Sequence, residues 1–235
     1  MVDIHNHLLY GIDDGSKSIE ESIDVLKDLE QVGYTDIILT PHYITDSRYD
    51  SSRDNNLERL EILKKEVKEN NININLYLGN EIFIDDNIYE LLKEDLISSL
   101  NDTDYLLIEL PLSGEFSGYL EVFKYLIQKG YNVILAHPER YISFQDDFNK
   151  IYELENIGVY FQSNIDSLVG KYGPKAEEMI IRLLKENKLS FLATDIHSKK
   201  HDYNVWKLAK NKALRYVTEE VYNVLVNGNP SQLVG

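Results

Sequence analysis

Histidines and carboxylates recur along this chain where runs of β-forming residues end. His5-Asn6-His7 closes the run Val2–His5, Thr40-Pro41-His42 closes Thr35–Thr40, and Gly79-Asn80-Glu81 follows Ile74–Leu78. Glu109 lies inside Tyr105–Leu110, while Ala136-His137-Pro138-Glu139-Arg140 follows Asn132–Ala136 and Thr194-Asp195-Ile196-His197 closes Leu189–Thr194. In an extended segment, residues i and i+2 point the same way, so His5 and His7 can share one metal ion. A single histidine after a strand is commonly just a hydrogen-bonded structural residue. Glu109 is more informative, because a lone carboxylate beside Leu106-Leu107-Ile108 is costly to bury unless it is paired or bound to a cation. Six of the seven runs deliver such a residue at the same end. That pattern predicts a cluster of divalent metals that activates water.

The elements that must position these side chains can be read from the same rows. The seven runs, including Gly158–Gln162, alternate with helical patterns, as in βα units around a mainly parallel sheet. Ser18 and Glu21 make a capping box ahead of Ile23, Val25, Leu26 and Leu29, with Gly33 as a stop. Pro174 opens a helix with Met179, Ile180, Leu183 and Leu184 as its buried stripe, and Asp54–Asn70 reads as a wall helix with a solvated outer face. Seven units predict a barrel one strand short of the eight-stranded form, with reactive side chains at the carboxyl ends of the strands. An open doubly wound sheet is the alternative, but no G-x-G-x-x-G or P-loop marks a nucleotide site.

Composition narrows the chemistry. At 235 residues and 43% hydrophobic, residues 1–235 are read as one domain. The chain has no cysteine, which excludes disulfides, thiolate zinc sites and a cysteine nucleophile. A net charge of −16 argues against nucleic acid as a partner. No apolar run reaches the roughly 18 residues of a membrane span, and the start Met1-Val2-Asp3-Ile4-His5 lacks signal-peptide order, so a cytoplasmic location is expected.

Some candidates carry two readings. In Gly11-Ile12-Asp13-Asp14-Gly15, the glycines permit a tight loop that could return an aspartate to the barrel mouth, and Asp13 is read as an Asx-type turn. Arg140, three residues after His137, is placed to direct its planar fork at an anionic group beside the metals; the alternative is a salt bridge to Glu139. Arg48 is a second candidate for that task, and His201 is read as a surface residue.

Together, His5-x-His7, Gly11-Ile12-Asp13-Asp14-Gly15, Thr40-Pro41-His42, Gly79-x-Glu81, Ala136-His137-Pro138-Glu139-Arg140-Tyr141 and Asp195-x-His197 identify a resemblance. The chain resembles the polymerase and histidinol phosphatase (PHP) superfamily, and within it the bacterial capsule-associated tyrosine phosphatases of the CpsB type. The resemblance implies a distorted TIM-like (β/α)7 barrel with a three-metal site, usually manganese, with iron or zinc also compatible with such ligands. It implies that His5, His7 and Asp195 hold one ion, with Glu81 bridging to a second held by Glu109 and His137. Asp14, His42 and His197 would hold the third.

The implied activity is hydrolysis of phosphotyrosine by metal-activated water, on an autophosphorylated bacterial tyrosine kinase that governs capsule or exopolysaccharide assembly. A tyrosyl leaving group has a pKa near 10 and needs no dedicated general acid. A phosphatase for a small metabolite such as histidinol phosphate is the same-site alternative, and a non-catalytic metal- or kinase-binding protein the alternative of another class. The chain departs from the pattern after His197: relatives often carry an arginine there, and here Ser198-Lys199-Lys200-His201 is read as solvated loop.

Overall fold

The structure is a computed structural model that describes residues 1–49, 51–199 and 202–235. Among the described residues nine short strands lie in chain order: β1 (Val2–Asp3), β2 (Asp36–Leu39), β3 (His42–Tyr43), β4 (Asn75–Leu78), β5 (Glu81–Phe83), β6 (Tyr105–Glu109), β7 (Asn132–Ala136), β8 (Tyr160–Asn164) and β9 (Phe191–Ala193). Between them run α1 (Ile19–Gln31), α2 (Arg53–Glu69), α3 (Ile88–Lys93), α4 (Leu120–Gln128), α5 (Ile142–Asp146), α6 (Asn149–Asn156) and α7 (Pro174–Lys185), with α8 (Asn204–Ala213) after β9. None of these helices is long and apolar enough to cross a membrane.

All strand pairs are parallel, in the orders β1-β2-β4 and β3-β5-β6-β7-β8-β9. The two sheets are one wall, because β2 with β3 and β4 with β5 are two strands, each broken by a kink. Pro41 has no N–H to give the ladder, so the first strand bends there. The second bends at Gly79-Asn80, where a Cβ on Gly79 would lie 2.7 Å from Leu100 and Asn80 donates to the Pro41 carbonyl (3.0 Å). A parallel bridge between Asn6 and Ile196 and the Asp195 N–H bond to the His5 carbonyl (2.8 Å) join the last strand to the first. Seven βα positions therefore close a barrel, as the alternating pattern predicts.

The helix signals also hold. Ser18 Oγ accepts from Glu21 N, while the Glu21 carboxylate reaches back to Lys17 N, one residue earlier than a standard box. Met179, Ile180, Leu183 and Leu184 are buried on α7, as are Leu60, Leu63 and Val67 on α2. The strand boundaries differ from expectation in ways that matter for the site. His42 and Glu81 open the short strands β3 and β5 instead of lying in loops beyond β2 and β4. The sixth strand begins and ends two residues later than predicted, so Asn164 is its last residue.

Candidate metal centre

The carboxyl ends of the strands bring the nine candidate ligands together, and seven of them, all but His5 and His7, line a cavity of about 980 Å3. His5 and His7 lie just past β1, fully buried, with ring centroids 5.4 Å apart. Both Nε2 atoms face Glu81 Oε2 (3.2 and 3.3 Å) and Asp195 Oδ1 (3.5 and 3.3 Å). Two ligands about 2.1 Å from a tetrahedral ion stand about 3.4 Å apart, so these four donors are spaced as ligands to a common centre.

Glu81 is the hub. Its Oε2 also faces His42 Nδ1 at 2.9 Å, and its Oε1 faces His137 Nε2 at 2.8 Å. Glu109, at the end of β6, stands 3.6 Å from His42 and 3.7 Å from His137. Farther out, Asp14 Oδ1 faces His42 Nε2 (3.7 Å) and His197 Nε2 (3.6 Å). The donors converge in overlapping groups: His5 with His7 and Glu81, His5 with His137 and Asp195, His42 with Glu81 and Glu109, and His7 with Asp14, His42 and His197.

Whether these residues suit a metal can be judged from their unmet hydrogen bonds. His5 Nε2, His7 Nε2, His42 Nδ1 and Glu81 Oε2 are buried without a hydrogen-bond partner, a concentration of orphaned polar atoms that a bound cation would satisfy. Electrostatics agrees. Burial works against charge on His5, but the carboxylates of Glu81 and Asp195 outweigh it and lift its pKa to about 9. Burial likewise opposes ionisation of Glu81, yet the His5 and His42 rings hold it well below the usual carboxylate range. Burial and then the Glu81 charge push Glu109 up, so the acidic pair is short of cations. The residues fit a cluster of divalent ions, whose binding would displace the imidazole protons.

A second layer orients the imidazoles. Gln162 Oε1 lies 2.8 Å from His5 Nδ1, Asp13 Oδ2 lies 2.7 Å from His7 Nδ1, and the Asp195 carbonyl lies 2.9 Å from His197 Nδ1. Each contact turns the Nε2 of its ring toward the cluster, the usual arrangement around a metal-bound histidine. Asp13 does form the expected Asx turn, through Oδ1 to Gly15 N (2.9 Å), but Oδ2 also holds the His42 N–H (2.8 Å). A Cβ on Gly15 would fall 1.9 Å from the His7 carbonyl oxygen, which explains the glycine that ends this loop.

The role of β8 was missed because Gln162 and Asn164 offer no ligand-type signal. Asn164 Nδ2 donates to Asp195 Oδ2 (2.6 Å) and Gln162 Nε2 donates to Asn164 Oδ1 (2.9 Å), so this strand steadies two ligands without contributing one. Replacing Gln162 with leucine is expected to lower metal affinity about 10–100-fold at an unchanged fold, as measured by manganese titration.

The His137–Tyr141 segment divides its tasks by residue. His137 and Asp195 sit at positive φ (31° and 51°), conformations that ordinary side chains avoid and that occur where function imposes strain. Arg140 Nη1 donates to Asp195 Oδ2 (3.1 Å), and its guanidinium lies 4.6 Å from the Tyr172 ring centroid. Arg140 therefore pairs across the site, while the buried Glu139 carboxylate accepts from Asn164 N (2.9 Å) and Ser167 Oγ (2.6 Å). Tyr141 is buried, donating to the Ala136 carbonyl (2.8 Å) and accepting from Leu110 N (3.0 Å).

Arg48 is placed differently. It is exposed, stands 5.6 Å from the Tyr49 ring centroid and is not among the cavity-lining residues, whereas Tyr49 lines the cavity and stacks on His42. Lys199 pairs with Asp24 on the surface, and Lys200 and His201 lie outside the described residues.

The whole chain is similar to known proteins. Residues 1–235 match the family described as Capsular polysaccharide synthesis, CpsB/CapC. CapC of Staphylococcus aureus is 37% identical over 97% of this chain and 89% of its own length. The tyrosine-protein phosphatase YwqE of Bacillus subtilis is 32% identical over 85% of this chain and 78% of its own. Among solved structures, one described under YwqE from Bacillus subtilis and CpsB from Streptococcus pneumoniae, "unique metal-dependent tyrosine phosphatases", superimposes with a TM-score of 0.92 at 29% identity, covering 100% of this chain and 94% of that one. A histidinol phosphate phosphatase from Lactococcus lactis shares the fold, with a TM-score of 0.62 at 16% identity, 92% of this chain and 93% of that one. A barrel that gathers histidines and carboxylates at its strand ends, matched in sequence from Met1 to Gly235, thus places the chain in the CpsB/CapC family.

Proposed function

We propose that this chain is a metal-dependent tyrosine-protein phosphatase with three divalent ions, manganese in the native enzyme. Its substrate is the phosphotyrosyl segment of a tyrosine autokinase that controls capsule or exopolysaccharide synthesis in the cytoplasm. The observation that carries this reading is the hub at Glu81, around which four imidazoles converge on two carboxylate oxygens. His5, His7 and Asp195 would hold one ion, with Glu81 shared with a second held by Glu109 and His137. Asp14, His42 and His197 would hold the third. When bound, such ions supply an activated water and neutralise charge on the phosphoryl oxygens.

The chain's own residues do the rest. Arg140 spends one nitrogen on Asp195, which fixes its plane and leaves the rest of its fork for the phosphate. Tyr49, Ile44 and Phe83 line the cavity and provide an apolar surface for the aryl ring of the ester. The phenolate leaves without a dedicated acid, since its pKa is near 10. With no cysteine in the chain, a thiolate route is closed.

Rates of the manganese-loaded protein on a phosphotyrosine peptide, a phosphoserine peptide and histidinol phosphate test the substrate class. Phosphotyrosine is expected to be hydrolysed fastest; a higher kcat/KM on histidinol phosphate would assign the site to metabolite chemistry instead.

A further inference from the structure

The cavity mouth carries one cation that the reaction itself does not use. Arg140 and Lys171 are the only lysine or arginine residues among the described residues lining it. Lys171 follows Gly170, in the loop between β8 and α7, and is 45% exposed. It is not a free surface lysine. Its Nζ donates to Asp166 Oδ2 (2.8 Å), a buried carboxylate whose other oxygen accepts from Trp206 Nε1 (2.8 Å) on α8. That bond engages one of the three ammonium donors and holds the head at the mouth.

Tyr172 sets the distance between the two cations. Its ring centroid lies 4.6 Å from the Arg140 guanidinium and 5.3 Å from Lys171 Nζ, so the charges stand no more than about 10 Å apart. A phosphotyrosyl side chain spans about 8 Å from phosphorus to α-carbon. With the phosphate at Arg140, Lys171 is within reach of the residues flanking the phosphotyrosine. Asp202, the acid nearest the start of α8 in the lining, accepts from Asn204 N (3.0 Å), which turns its carboxylate to the helix. On a chain of net charge −16, an acidic peptide is repelled by most of the surface and finds a basic donor at the mouth.

We infer that Lys171 is a specificity-determining residue that favours substrates with an acidic side chain beside the phosphotyrosine. This rests on the phosphatase reading above. The test uses manganese-loaded wild type, Lys171→Gln and Lys171→Arg on p-nitrophenyl phosphate and on two phosphotyrosine peptides that differ only in glutamate or glutamine flanks. Glutamine keeps a donor for Asp166, so the loop is retained.

The glutamine variant is expected to raise KM for the glutamate-flanked peptide about fivefold, with kcat within about twofold. The glutamine-flanked peptide and p-nitrophenyl phosphate should be unaffected, and arginine should restore the preference. An unchanged preference in Lys171→Gln overturns the inference, as does an equal loss on p-nitrophenyl phosphate, which would mean a contact to phosphate or a purely structural role. Failure of wild type on all three compounds would instead overturn the phosphatase reading and this inference with it.

Discussion

Glu81→Gln is expected to remove essentially all activity, about 10^3-fold or more in kcat, and to lower the number of bound ions. The substitution keeps size and shape and changes only charge and donor pattern. Both oxygens of Glu81 face imidazole nitrogens, Oε2 toward His5, His7 and His42 and Oε1 toward His137. An amide would point an NH2 at one of these sets and could not bridge two ions. Glu81 is 1% exposed, so water cannot take over its role. Elemental analysis beside steady-state rates measures both effects, and normal metal content with normal turnover would remove Glu81 from the centre of the site.

Arg140→Ala is expected to lower kcat/KM for a phosphotyrosine peptide about 10^3-fold while leaving metal content close to wild type. Metal retention is expected because Asp195, the partner of Arg140, keeps a second donor in Asn164 Nδ2 at 2.6 Å. Arg140→Lys should recover little, because an ammonium cannot reproduce a planar fork held by Asp195 on one side and Tyr172 on the other. Loss of metal in step with activity would mark Arg140 as a support for Asp195 alone. Comparing the two variants by elemental analysis and kinetics separates a group that binds phosphate from one that builds the metal site.

Much of this site was legible in the sequence because each of its parts obeys a short-range rule. The i, i+2 spacing of His5 and His7 places both rings on one side in any extended segment, and Glu109 stood out as a charge inside an apolar strand. The mainly parallel sheet followed from βα alternation, which left a barrel and an open doubly wound sheet as alternatives. What stayed hidden depends on long-range pairing. Nothing near Gln162 or Asn164 announces that β8 will orient His5 and Asp195 from 157 and 31 residues away. Asp13 looked like a local turn because its short-range bond to Gly15 is real, and its grip on His7 and the His42 backbone needs the closed barrel. The kinks at Pro41 and Gly79-Asn80 were visible as residues, but that the chain resumes as strand beyond them, carrying His42 and Glu81, depends on the pairing of β3 with β5 and of β5 with β6.

Hydrolysis of a phosphotyrosine peptide by the full chain, before chelation, after chelation and after manganese is restored, tests most directly whether the cluster of histidines and carboxylates works through bound ions. Activity should disappear with the metal and return with manganese in proportion to the ions rebound. Full activity in the chelated, metal-free protein, or none after the metal is restored, would contradict the account.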